Sequence, residues 1–304
     1  MKKVDLRGCL MLVLTALIWG VAFVAQSVGM DYVGPFTFNA VRTLIGGVVL
    51  LPCIALQDRA AVRRGETPAS WKNKKLLTGG VACGFVLAMA SMLQQTGILY
   101  TTVGKAGFIT ALYIVLVPVF GLFLKKRPRP LVWIGVVLAV VGMYLLCITD
   151  GLSMGRGELL LLLCAAMFAL HILVIEHFSP QVDGVRMSCI QFFTCSVLCG
   201  VPMLLFEQPH MAQIAAAWAP VLYAGVLSCG VAYTLQVVGQ RRVPSSVAAL
   251  ILSLESVFSV LAGWVILRQR LSPRELFGCL LVFCAVVIAQ LPERERLKVP
   301  PKAE

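Results

Sequence analysis

Charge is scarce in this chain. Asp, Glu, Lys and Arg make up 13% of 304 residues, with 14 acids and 3 histidines. A soluble protein of this length could not cover its apolar residues with so little charge. Long polar stretches are also missing. The largest break between apolar runs, about residues 58–75, is too short to fold as a soluble domain. Any function must therefore sit among the apolar segments. Several chemistries lack their signatures: there is no phosphate loop, nucleophile elbow or paired membrane-aspartate motif. His171, Glu176 and His177 read H-x-x-x-x-E-H, which is neither H-E-x-x-H nor H-x-x-E-H, so a metalloprotease site is rejected. The 11 cysteines fall almost wholly inside apolar runs, without paired C-x-x-C spacing. They read as small hydrophobes, and no metal or cofactor is implied.

What the chain does have is hydrophobicity: 59% of residues, with a mean hydropathy of +0.90. Ten apolar runs span approximately 8–29, 36–57, 76–98, 104–124, 131–149, 157–176, 186–206, 214–238, 246–267 and 274–291. Each approaches the roughly 20 helical residues needed to cross a hydrocarbon core of about 30 Å. Pro, Gly and charge punctuate them at Gly34-Pro35, Arg127-Pro128-Arg129-Pro130, Ser179-Pro180, Gln208-Pro209 and Ser272-Pro273. The pattern predicts an all-α polytopic membrane protein of ten transmembrane helices. Lys2-Lys3 could open a signal peptide, but Leu6 to Gly29 is longer than an h-region and shows no convincing cleavage site, so it reads as the first span.

The net charge of +12 follows the membrane rather than a nucleic acid. With the N-terminus in the cytoplasm, inside segments hold 20 Lys or Arg, outside loops hold 5, and Arg42 lies within a span. That asymmetry is the positive-inside pattern. Arg268, Arg270 and Arg274 fit it badly, since they fall on the predicted outside.

Segments 3–4 resemble segments 8–9 at an offset of 142 residues. Leu93-Gln94-x-x-Gly97 matches Leu235-Gln236-x-x-Gly239. Ala106, Ile109, Leu112, Val115 and Gly121 match Ala248, Ile251, Leu254, Val257 and Gly263. The shared Arg-x-x-Pro break, Arg127/Pro130 and Arg270/Pro273, follows with one insertion. The expected division is a five-helix repeat over 1–149, a second over 150–291 and a tail over 292–304. An odd number of spans makes the second repeat insert upside down, a design in which rocking exposes a midplane site to alternate sides.

Polar residues recur at helical spacing. Thr15, Trp19, Ala22 and Gln26 share one face of span 1, and Asn39, Arg42 and Gly46 share one of span 2. Gly84, Ala88, Ser91 and Gln95 line span 3; Cys229, Tyr233, Gln236 and Gln240 line span 8; Ala248, Glu255, Ser259 and Ala262 line span 9. Singly, each residue reads as interhelical glue; five stripes together suit a polar central cavity. Spans 5 and 10 are nearly free of polar residues and read as peripheral, facing lipid or a second protomer. Arg42 and Glu255 are full charges inside spans, where a charge costs about 3 kcal/mol on insertion scales. Their predicted depths differ by only about 6 Å at 1.5 Å per residue, so a structural ion pair competes with a substrate or proton role. His171 reads first as a packing residue. Trp19, Gln26, Asn39, Arg42, Gln95, Tyr113, His171, Tyr233, Gln236 and Glu255 form the candidate substrate-binding set.

The chain resembles the EamA-like, ten-helix members of the drug/metabolite transporter superfamily. The likeness rests on Ile18-Trp19-Gly20-Val21-Ala22-Phe23, on Pro35-x6-Arg42, and on Gly104-Lys105-Ala106-Gly107-Phe108-Ile109-Thr110 with Val117-Pro118. It rests also on Ala248 to Phe258, followed by Gly263-Trp264 and Leu271-Ser272-Pro273. The resemblance implies a bacterial inner-membrane protein with cytoplasmic termini, inverted repeats and a cavity from spans 1–4 and 6–9. It implies a small polar, amino-acid-like substrate, moved outward, and it places Arg42 and Glu255 where the family often carries them. Where relatives commonly have Gly-Glu after spans 4 and 9, this chain reads Lys125-Lys126-Arg127 and Arg268-Gln269-Arg270. No nucleotide motif is present, so a gradient, including one of protons, is the expected energy source. The rival reading is a non-transporting structural or regulatory membrane protein of the same fold.

Overall fold

The computed structural model describes residues 5–101, 103–126, 128–147, 155–267 and 272–290. The tail at 292–304, the connection at 150–154, and Arg127, Arg268 and Arg270 lie outside the described residues. The chain runs through α1 (Leu6–Gly29), α2 (Pro35–Arg63), α3 (Lys74–Ile98), α4 (Val103–Ala111), α5 (Tyr113–Phe123), α6 (Pro130–Cys147) and α7 (Arg156–Phe178). It continues through α8 (Gly184–Phe206), α9 (Met211–Ala216), α10 (Trp218–Leu222), a π-helical segment (Tyr223–Tyr233), α11 (Thr234–Gln240), α12 (Ser245–Leu252), α13 (Leu254–Leu267) and α14 (Pro273–Gln290). The sequence sets the starts of these helices. Prolines open α2, α6 and α14, where a missing N–H costs no helical bond. Asp5, Asn73 and Asp183 cap α1, α3 and α8 by accepting from Arg7 N at 3.0 Å, Lys75 N at 2.9 Å and Arg186 N at 2.8 Å.

Eight helical spans among the described residues are long and apolar enough to cross a bilayer, and the molecule is an all-α polytopic membrane fold. The expected fifth and tenth spans are α6 and α14. Their apolar cores, Pro130–Leu145 and Leu276–Ile288, are shorter. α2 runs to Arg63, six residues beyond the expected 57, so Arg59 and Arg63 ride on helix. Spans 4 and 9 are each broken near the middle, between α4 and α5 at Leu112 and between α12 and α13 at Ser253. Three-residue bonds tighten both places: Leu112 N to Ile109 O at 3.2 Å, Val115 N to Leu112 O at 3.0 Å and Ser256 N to Ser253 O at 3.1 Å. The expected eighth span at 214–238 begins at Trp218 and contains the wide π-helical stretch.

Packing sorts the helices. α1 lies against α12–α13, α11 and the π-helical segment; α7 lies against α3 and α4–α5; α2 lies along α8. Small residues allow the closest crossings. A Cβ on Gly20 of α1 would stand 2.4 Å from Phe258 Cβ of α13. α6 and α14 pack chiefly on each other, and their outer faces expose Ile134, Val137, Leu276, Phe277, Leu280 and Phe283. Such faces suit a hydrocarbon solvent.

Polar clasps occupy the two ends of the bundle. One end carries the 58–75 region and is called here the basic face. There Arg242 Nη1 pairs with Asp5 Oδ2 at 2.7 Å, Arg186 pairs with Asp58, Lys126 pairs with Glu176, and Lys75 Nζ donates to Gln181 Oε1 at 2.9 Å. Bonds from Arg242 and the Arg7 N–H hold the Asp5 carboxyl below its ordinary pKa range. At the opposite face, Glu207 at the end of α8 accepts Phe36 N at 3.0 Å, Thr37 N at 2.7 Å and Thr37 Oγ1 at 2.6 Å. A carboxylate thereby seals the N-terminus of α2, where the helix dipole favours it.

Candidate functional site

A polar cavity lies among the helices near mid-bundle. Its walls are Trp19, Phe23 and Gln26 from α1, Arg42 from α2, Gln94 from α3, Thr110 from α4 and Tyr113 from α5. Phe168 from α7, Ser228 and Tyr233 from the π-helical segment and Glu255 from α13 complete it. About 30 Å³ is open to the centres of water-sized molecules. That suits two or three waters at roughly 10–15 Å³ each, so a metabolite needs the walls to part.

Periodicity and helix distortion place these side chains. Trp19, Phe23 and Gln26 recur at four and three residues along α1, one face of a 3.6-residue helix. The π-helical segment brings its backbone against α1: Trp19 Nε1 donates to Ser228 O at 3.4 Å, and Thr15 Oγ1 donates to Ala232 O at 3.1 Å. The Trp19 and Tyr233 rings meet at 4.5 Å, tilted by 56°. The breaks at Leu112 and Ser253 deliver Tyr113 and Glu255, whose Tyr113 OH donates to Glu255 Oε1 at 3.0 Å.

Arg42 and Glu255 share the cavity without pairing. Arg42 is 2% exposed, its guanidinium lies 5.6 Å from the Phe38 ring centre, and no carboxylate reaches it within 4.0 Å among the described residues. Its Nε has no protein partner. A buried cation without a counter-charge is costly, and here it lines the cavity. The structural ion pair weighed from sequence is therefore not formed; the Glu255 carboxylate is engaged by a phenol instead.

Six of the ten sequence-predicted residues line this cavity: Trp19, Gln26, Arg42, Tyr113, Tyr233 and Glu255. The other four lie outside its walls. Asn39 Nδ2 donates to Ser91 O at 3.0 Å, and Gln95 Nε2 donates to the Gln26 carbonyl at 3.3 Å, so both brace lining helices. His171 is buried against Gln191 and the edge of Tyr233. Gln236 is 1% exposed one turn beyond Tyr233. Sequence reasoning missed Gln94, Ser228, Thr110, Phe23 and Phe168. Gln94 and Ser228 adjoin the chosen Gln95 and Cys229, and one residue turns a helix by about 100°. α8 supplies no lining residue. No group of three or more His, Cys, Asp or Glu gathers anywhere among the described residues.

The EamA-like transporter family profile matches residues 6–148 and 155–290. An uncharacterized transporter of Archaeoglobus fulgidus is 32% identical over 287 residues, covering 92% of this chain and 84% of the relative. The uncharacterized transporter YwfM of Bacillus subtilis is 26% identical over 298 residues, covering 94% and 95%. A solved crystal structure superposes with a TM-score of 0.76 at 19% identity, covering 93% of this chain and 96% of that one, which supports the fold. Apolar spans, a buried polar cavity and these matches lead to one placement: the chain is a multi-pass membrane protein of the EamA-like transporter family.

Proposed function

We propose that this protein is a secondary carrier that moves a small polar metabolite out of the cytoplasm by alternating access. The observation that carries the reading is Arg42: a buried guanidinium, unmatched by any described carboxylate, in a cavity also lined by Glu255, Trp19, Tyr233, Gln26 and Gln94. A cation, a carboxylate–phenol pair and aromatic faces lining one cavity suit a compact solute with an anionic group and a second polar end.

Packing supports the inverted repeat that alternating access needs. If residues up to 149 and residues 150–291 are related by a pseudo-two-fold axis, α1 corresponds to α7, α3 to α10–α11, and α4–α5 to α12–α13. The contacts of α1 with α11 and α13 then mirror those of α7 with α3 and α4–α5. Tyr113 and Glu255, one offset of 142 apart, touch as partners on that axis should. The excess of Lys and Arg on the basic face supports placing it and both termini in the cytoplasm. Glu255, which accepts from Tyr113 OH, is the group proposed to carry a coupling proton.

Purified protein screened against small anionic and zwitterionic metabolites by thermal unfolding tests the site. A ligand at 100 times its Kd stabilises by about 2.7 kcal/mol. The wild type should show such a shift with at least one class, and Arg42→Leu should lose it while unfolding normally without ligand. An equal shift in both proteins would remove Arg42 from the site.

A further inference from the structure

A second group of buried polar side chains lies outside the cavity, between Tyr233 and the basic face. His171 of α7 stands with Nε2 3.2 Å from Gln191 Oε1 of α8, and its ring meets the Tyr233 ring edge-on at 6.0 Å. Ser188 lies one turn before Gln191 on α8, and Gln236 and Gln240 lie one and two turns past Tyr233 on α11. Gln240 Nε2 donates to Ile172 O at 3.3 Å, which draws α11 against α7 beside His171. Helix order sets these groups as a file running from the cavity wall at Tyr233 toward the basic face.

All five are at least 99% buried, and each keeps an atom without a protein partner. The atoms are His171 Nδ1, Gln191 Nε2, Ser188 Oγ, Gln236 Oε1 and Gln240 Oε1. Unsatisfied polar atoms at that burial are costly and call for an explanation. Helix–helix adhesion accounts for the bonded atoms of His171, Gln191 and Gln240 but not for the five atoms left over. The repeat points to another. Gln94 and Gln236 occupy matching positions 142 residues apart, yet Gln94 lines the cavity and Gln236 does not. The same amide faces open space in one half and packed protein in the other.

We infer that the α7–α8–α11 file is the closed half of the transport path, which parts and hydrates toward the basic face when the protein changes state. The inference rests on the carrier reading above and adds the route. Gln236 then takes the place that Gln94 holds here, and the unpartnered atoms gain water or solute. Two clasps hold the mouth shut. Arg242, two residues past Gln240, pairs with Asp5 at 2.7 Å. Glu176 pairs with Lys126 and accepts Ser245 N at 3.4 Å. Both clasps are partly exposed, so either can open without stranding a buried charge.

The test uses single cysteines at positions 188, 236 and 240 in a cysteine-depleted chain (Ser188→Cys, Gln236→Cys, Gln240→Cys). The probe is an impermeant, positively charged methanethiosulfonate applied from the basic face of inverted vesicles. Val282→Cys, buried between α6 and α14, is the dark control. Positions 236 and 240 should label above control. Their rate should rise about fivefold when Asp5→Asn and Glu176→Gln weaken both clasps. Labelling no faster than Val282→Cys in either background, or only from the opposite face, would overturn the file. Should Gln236→Cys fail to fold, Gln240→Cys and Ser188→Cys carry the same test. Solute flux in the same vesicles separates the two failures: dark positions with flux sink the file alone, and dark positions without flux sink the carrier reading too.

Discussion

Asp58→Asn should destabilise the protein by about 2 kcal/mol, because it loosens a cation that is almost fully enclosed. The Arg186 side chain is 3% exposed, pairs with Asp58 across the α2–α8 contact and lies 5.3 Å from the centre of the Trp71 ring. Breaking a fully buried pair costs roughly 3–5 kcal/mol. Two features reduce that here: the Asp58 side chain is 33% exposed, and Asp183 Oδ1 remains 3.6 Å from Arg186 Nη1. Discounting for both leaves about 2 kcal/mol. The neutral amide keeps the shape of Asp58 but cannot hold the guanidinium as an anion does. Arg186→Met removes the stranded charge, so Asp58→Asn should cost little in that background. A double-mutant cycle by reversible unfolding in mixed micelles should return a coupling of about 1.5 kcal/mol. A coupling under about 0.5 kcal/mol would refute the reasoning and make the clasp no stronger than an exposed pair.

Glu207→Ala should lower stability by about 1–2 kcal/mol, since three donors at the start of α2 lose their acceptor; an unchanged melting temperature would contradict it. Gly20→Ala should cost about 1–3 kcal/mol by forcing α1 from α13. Gly200→Ala, with nothing within 4 Å of the new Cβ, should instead stabilise α8 by about 0.5–1 kcal/mol, and equal melting temperatures for the two variants would contradict the packing account. Glu255→Gln keeps an acceptor for Tyr113 OH and should fold normally. It should still bind ligand but no longer accumulate solute driven by a proton gradient, and full accumulation would remove the proton role.

The architecture was legible because lipid makes periodicity blunt. A run such as Leu6–Gly29 has nowhere to go but across the membrane, and Pro35, Pro130 and Pro273 mark where helices begin. Arg42 and Glu255 were legible for the converse reason: a charge inside such a run must face something polar. What the sequence concealed was rotation and local winding. The stripe on span 3 was drawn through Gln95, whereas Gln94 reaches the cavity. The stripe on span 8 was drawn through Cys229, whereas Ser228 lines the wall, because an 11-residue π-helical stretch shifts the angular register that a 3.6-residue count assumes. Depth arithmetic put Arg42 and Glu255 within about 6 Å of one another, and both do line one cavity. It did not reveal that Tyr113, one repeat offset of 142 before Glu255, meets that carboxylate where span 4 breaks at Leu112.

On the carrier reading, the cavity holding Arg42 and Glu255 carries solute across a membrane. The most direct measurement is flux of a radiolabelled metabolite that stabilises the purified protein, into proteoliposomes preloaded with the same compound unlabelled. The account predicts saturable counterflow for the wild type, little for Arg42→Lys because a point charge cannot reproduce the guanidinium fork, and none for Arg42→Leu at equal insertion. Wild-type flux no greater than that of empty liposomes, or full flux through Arg42→Leu, would contradict it.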